Sequence, residues 1–303
     1  MLFLEQTLNA LQLGLMLFLI AAGLTLVFGI MDLVNLAHGS FYMLGAYVAA
    51  TVAAKSGSFA AAFLVALAAA AGVGMLVEWL LLRRVYGRGH LSQVLVTFAL
   101  ILIANETVRW IWGANPIDMG VPRSLAGSVA LAPGLSYSEY RLAIIVAGLA
   151  LAAALFWMVN CTRLGIWIRA GASNRDMARA LGVDTSRLFT LVFGLGAALS
   201  AFAGAMLGPI LSVQVGMGEA IIILAFVVVV IGGIGSVRGA LLGSIVVAAV
   251  DTYGRAFLPS ALGAFLPLDI ATHLGPGLSQ VSIFVLMAAI LFFRPRGLMP
   301  ATG

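Results

Sequence analysis

Charge is scarce in this chain: 9% of its 303 residues are charged and 63% are hydrophobic. Mean hydropathy is +1.14. A water-soluble fold cannot hide that much apolar surface. Cysteine is nearly absent, and Cys161 alone excludes a disulfide framework or a cysteine metal site. His38, His90 and His273 lie far apart, so no metal constellation is implied. Of 16 Lys+Arg residues a single one, Lys55, is lysine. Ala54 precedes it, so the phosphate-binding pattern GxxxxGK[ST] cannot form and no ATP loop is present. No serine or cysteine nucleophile set can be assembled, and no cofactor is implied. Acids within the apolar runs are so few that a proton-relay carrier is poorly supported.

What is present is a series of long apolar runs. Between charged residues they cover 6–31, 33–54, 56–77, 142–162, 188–218, 220–237 and 270–293. The stretch 89–105 is slightly shorter, and 239–250 continues past Asp251. Runs of about 18 residues or more read as membrane spans. The N-terminal MLFLEQTLNALQLG lacks a basic n-region, which predicts an uncleaved span. The fold class is therefore all-α: a polytopic transmembrane helical bundle of about 8–9 membrane segments, some broken or re-entrant. The lipid bilayer is its solvent, and 1–303 form a single integral-membrane domain. The net charge of +5 does not point to nucleic acid, because the arginines cluster at the ends of apolar spans.

Three basic clusters set the orientation: Arg83, Arg84 and Arg88; the segment 163–187; and Arg294 with Arg296. All three are placed on the cytoplasmic side. Spans near 91–113 and 141–161 make loop 114–140 external. Spans near 189–213, 219–234, 237–255 and 278–293 follow, with an external loop at 254–277. The prolines of both loops suit irregular backbone. At the front, 8–30, 33–54 and 59–82 give nine spans and an external N-terminus if all cross. A broken or re-entrant 33–54 gives eight and an internal one.

Within the membrane, Asn35 and His38 are three apart, as on one helical face. With Gly39 they form a candidate wall of a substrate path, set against the plainer reading of a helix-end cap and interhelical hydrogen bond. Asn105 and Glu106 are a second candidate, an outer mouth; Glu106 and Arg109 can pair at i,i+3, beside an aromatic belt of Trp110 and Trp112. Gly232 and Gly233, with Gly235, predict a cytoplasmic turn ending at Arg238, and as a glycine interruption paired with the one near Gly39 they are further candidates for the substrate path. The spacing there is GxGxxxG, not the dinucleotide fingerprint. Gly239 and Gly243 would admit a close helix neighbour.

Residues 163–187 (RLGIWIRAGASNRDMARALGVDTSR) are the one polar island. Ser173 and Asp176 have capping-box spacing, 174–181 favour a helix, and Gly182 is a natural stop. Met177, Ala180 and Leu181 share one face, Arg175 and Arg179 another. Asp184 is placed to cap the next helix. So short a helix needs a partner surface. Its candidate coupling residues are Asp176, Ala178, Arg179, Ala180, Leu181 and Gly182.

The segments GLTLVFGIMDLVNLAHGSFYMLGAY, RAGASNRDMARALGVDTSRL, VVIGGIGSVRGALLGS and LFFRPRGLM resemble the LivH-type permease of branched-chain amino acid ABC importers. The resemblance covers nearly the whole chain. It implies a subunit of the bacterial cytoplasmic (inner) membrane that is not itself an enzyme. It also implies a second, LivM-like permease subunit, two cytoplasmic ATPase subunits and an extracytoplasmic substrate-binding protein. In such importers a short cytoplasmic helix with an Ala…Gly signature docks into the ATPase. Ala178 and Gly182 match that spacing, although the usual leading Glu is absent. Relatives of this permease type also serve urea, short amides and other small polar solutes. A self-powered secondary carrier is a more distant alternative.

Overall fold

Once water is gone, each backbone N–H and C=O must find its partner within its own segment, so apolar runs of this length become helices. The computed structural model describes residues 2–265 and 267–299. In chain order they form α1 (Leu2–Met31), α2 (His38–Ser56), α3 (Phe59–Leu80) and α4 (His90–Trp112). A hairpin, β1 (Ser128–Ala132) and β2 (Leu135–Ser138), precedes α5 (Glu139–Cys161). Then come α6 (Arg163–Ser173), α7 (Arg175–Ala180), α8 (Thr185–Leu207), α9 (Met217–Gly232), α10 (Val237–Leu262) and α11 (Leu268–Phe293). Seven of these segments are long and apolar enough to cross a bilayer; α2 and the shorter α9 are not among them.

The core is built on α1 and α8. α1 packs along α10 and α8, while α2 and α3 both pack along α8. Small residues let these backbones close up: Gly45 lies against Ala201, Gly74 against Ala197, and Gly204 against the backbone of Tyr42. Lipid offers no hydrophobic drive for helix pairing, so close van der Waals contact of this kind is what holds the bundle.

Contacts along the helices fix the path of the front end. The Thr7 and Tyr253 hydroxyls bond at 2.8 Å near one end of α1, and Gly29 meets Gly235 near the other. α1 is therefore antiparallel to α10. Arg238 marks one face of the bundle, so α1 starts at the opposite face. Residues 32–37 are not helical, and Asp32 adopts φ 51°. His38 then lies beside Gly23, in the last third of α1, and Gly196, midway along α8. From there α2 runs parallel to α8: the Ser200 hydroxyl donates to the His38 carbonyl at 3.1 Å, and Tyr42 meets Gly204 beyond it. The segment 32–56 thus crosses once, as a non-helical stretch followed by a helix. It is broken and yet a full crossing, a combination outside the two sequence alternatives. With α1, α3, α4, α5, α8, α9, α10 and α11 it gives nine segments that run between the two ends of the bundle among the described residues.

Both expected external loops are more ordered than their prolines suggest. Pro259 lies inside α10 and Pro276 inside α11, so the loop at 254–277 shrinks to 263–267. A proline loses one backbone donor but does not end a helix whose neighbours cover the gap; Gly275 packs directly on Pro259. Loop 114–140 contains the β1–β2 hairpin, turned at Gly134 with φ 84°. Ile117 pairs with Val213 and ties this loop to the turn between α8 and α9.

Candidate functional site

The polar island 163–187 folds into two helices. Thr162 caps α6 by accepting from Gly165 N–H, and Ile168 and Gly171 turn inward. This helix was not read from the sequence, although Thr162 three residues before Gly165 is a cap signal. The cap of α7 is Asn174, whose side chain accepts from Met177 N–H; Ser173 is the last residue of α6. The capping-box expectation at Ser173 is thereby corrected by one position. Asn accepts such a bond as readily as Ser. At the other end Gly182 adopts φ 89°. Gly182 N–H donates to Arg179 O and Val183 N–H to Ala178 O, the paired bonds of a Schellman stop. Asp184 accepts from Arg187 N–H and caps α8, as expected.

The arginines hold α7 in place. Arg175 Nε donates to Ile30 O at the end of α1 at 2.7 Å, and its guanidinium lies over the Phe189 ring. Arg179 Nε and Nη2 donate to the Thr185 hydroxyl. Ala178 faces the body of the protein and is 3% exposed, so it is not available to a partner. Met177 (57%) and Leu181 (78%) stand out into solvent, and Ala180, Gly182 and Asp176 are exposed beside them. The coupling candidates thus separate: Arg179 and Ala178 anchor the helix, while the other four stand at an open face.

At the break before α2, Asn35 and His38 are buried. They are not on one helical face, because 32–37 has no helix; His38 opens α2 and Asn35 lies before it. Neither side chain has a hydrogen-bond partner among the described residues. Thr25 Oγ1, Tyr47 Oη and Gln93 Oε1 are buried and unpaired too. Gly39 is needed for close approach: its backbone meets that of Gly218. Asn105 Nδ2 donates to Glu219 Oε1 at 2.6 Å, near Ser40 and Gly218. Asn105 therefore joins the Gly39 region, a link that spacing could not show. Glu106 and Arg109 pair at 2.5 Å on the exposed side, as expected.

Gly232 and Gly233 belong to a different place, the C-terminal end of α9. Gly233 and Gly235 take φ 107° and 80°, making the expected turn, and Gly232 packs on Gly239. The chain returns there after α11: Leu298 N–H donates to Ile231 O and Met299 N–H to Gly232 O. These glycines close a helix end and are not brought near Asn35, His38 or Asn105.

Two features escaped sequence reading. Glu78 has 0% exposure and sits in a polar network. Arg83 donates to both carboxylate oxygens through Nε and Nη2, at 3.3 and 3.1 Å. Tyr86 Oη donates to Glu78 Oε1 at 2.8 Å, and the Thr190 hydroxyl to Oε2 at 2.6 Å. Burial, and then the Glu78 charge, push the Tyr86 phenol above its ordinary range, so it stays a donor. The second feature is a cavity of about 610 Å³ between the α8–α9 turn, α9, α10 and α11, with Tyr42 and Arg255 in its wall.

A family model described as "Branched-chain amino acid transport system / permease component" matches residues 6–292. The chain belongs to this family. The permease is 28% identical to the high-affinity branched-chain amino acid transport system permease protein BraD of Pseudomonas aeruginosa, over 98% of this chain and 95% of that one. It is also 28% identical to LivH of Escherichia coli (strain K12), with the same coverage of both. A probable LivH of Methanocaldococcus jannaschii is 27% identical over 93% of this chain and 88% of that one. No solved structure matches the permease. It is thus a multi-pass membrane permease component of a transport system.

Proposed function

We propose that this chain is a permease subunit of an ATP-driven importer for branched-chain amino acids, one domain in the bacterial cytoplasmic membrane. ATP hydrolysis belongs to two separate cytoplasmic ATPase subunits. A LivM-like permease completes the membrane core, and an extracytoplasmic binding protein delivers the substrate. The roles of these relatives support the substrate class. The observation that carries the coupling role is the face of α7: Met177 and Leu181, two large apolar side chains, are left in solvent on a helix capped at both ends. A helix of six residues is not kept for its own stability. Docked on an ATPase, that face would be covered.

The test is leucine uptake by cells carrying the complete transporter. Leu181→Asp and Met177→Asp are expected to abolish uptake and ATPase co-purification while the permease still inserts at native levels. Unchanged uptake and unchanged co-purification in both variants would refute the coupling role.

A further inference from the structure

The geometry points to the cavity between α9 and α11 as a binding site for an aliphatic α-amino acid, entered from the outer side. The inference rests on the transport reading above and adds a substrate site to it. The cavity holds about 610 Å³, inside the roughly 300–1,000 Å³ typical of small-molecule sites. Its floor is Tyr42 and Ile283, both buried. Its rim includes Leu211, Ile223 and Phe284, all exposed, so the space has an opening. Arg255 lies 18 residues beyond Val237 along α10, near the external end, which places that opening toward the outside.

The chemistry of the wall is specific. Most of it is aliphatic, with Ile221 and Leu224 from α9 facing Ile283 from α11. Its polar members have unused hydrogen-bonding capacity. Arg255 gives Nε to Asp251 at 2.8 Å, and its two Nη groups have no partner among the described residues. The Tyr42 hydroxyl and the side chains of Gln214 and Gln280 likewise have no hydrogen-bond partner among the described residues. Arg255, Gln214 and Gln280 are exposed at the mouth of the space, so their free groups are open to an entering ligand, while Tyr42 lies buried behind them. A guanidinium with two free nitrogens suits a carboxylate, taken bidentately. Amide and phenol oxygens suit an ammonium group, and the aliphatic wall suits a branched side chain. Urea carries no charge for Arg255, and a sugar gives the Ile–Leu wall nothing to cover it. A zwitterion with an aliphatic side chain uses all three parts.

The complete transporter in membrane vesicles provides the test. A diazirine analogue of leucine, irradiated with the native complex, is expected to label peptides containing 210–224 and 280–284, with label competed by leucine and not by urea. Leu224→Trp, which fills the cavity, is expected to lower leucine uptake at least tenfold while ATP hydrolysis stimulated by the loaded binding protein persists. Arg255→Gln is expected to raise the KM for leucine with kcat less affected. Label confined to other segments, or uptake within twofold of native in both variants, overturns the cavity assignment and leaves the transport reading standing. A native complex that takes up no aliphatic amino acid overturns the transport reading and the cavity with it.

Discussion

Gly39 and Gly218 meet backbone to backbone, each occupying the space where a Cβ on the other would stand. They are the second residues of α2 and α9, so two shortened helices start from one contact point. From it α2 runs outward and α9 runs toward the cytoplasm. Each follows a non-helical approach, 32–37 in one case and 208–216 in the other. Helix breaks of this kind are tolerated in a membrane only where protein covers the freed backbone, and the mutual glycine contact is part of that cover.

Any side chain at either glycine must push backbone apart. Gly39→Leu and Gly218→Leu are expected to destabilise by roughly 3 kcal/mol or more, at the upper end of overpacking costs. Gly72, in α3, has open space where its Cβ would lie. Gly72→Ala is expected to be neutral or to stabilise by up to about 1 kcal/mol through helix propensity. Thermal unfolding of the three variants in detergent checks the contrast.

Asn174, and not Ser173, carries the cap of α7. Asn174→Ala should cost about 1 kcal/mol and Ser173→Ala close to nothing. Amide hydrogen exchange at Met177, whose N–H Asn174 accepts, is the direct readout. Equal effects from the two substitutions would contradict the assignment.

Glu78 and Arg83 should respond unequally. Arg83 is partly exposed and can be hydrated without its partner, whereas Glu78 cannot. Arg83→Leu leaves a buried carboxylate with two hydroxyl donors and is expected to cost about 3–5 kcal/mol. Glu78→Gln removes the charge, keeps the shape and should cost less. Unfolding midpoints of the two variants measure the difference, and a larger loss for Glu78→Gln would sink the argument.

Leu298→Pro deletes the N–H that caps Ile231 O. With that carbonyl unsatisfied at the end of α9, a loss of about 1–3 kcal/mol is expected. Tryptic cleavage after Arg296 should accelerate in the variant, since the returning segment is held by the same bonds.

Features with short-range causes were legible in the sequence. Apolar runs and arginine clusters predict the helices and their orientation. Asp184 and Gly182 announce cap and stop, and Glu106 and Arg109 pair one helical turn apart, as spacing requires. Cap identity failed by one residue at Ser173 because Asn174 is an equally good acceptor. The prolines at 259 and 276 misled because their cost is met by neighbours that spacing cannot reveal. Contacts between distant segments were not legible. Glu78 meets Thr190 from 112 positions away, and Asn105 meets Glu219 from 114. Nothing local to Glu78 indicates that Tyr86 and Thr190 bury it. The cavity was invisible for the same reason: its walls come from four separate stretches of chain.

The bonds from Leu298 and Met299 to α9 also set an order of events in biosynthesis. These residues follow every membrane passage and leave the ribosome after α11, since synthesis runs from the N-terminus. Until then, the carbonyls of Ile231 and Gly232 have no donor from this segment. An inserted chain still attached to the ribosome therefore has an open seam at its cytoplasmic face. Emergence of Leu298 and Met299 closes it, so partners that bind this face meet a closed seam only after these two residues have been made.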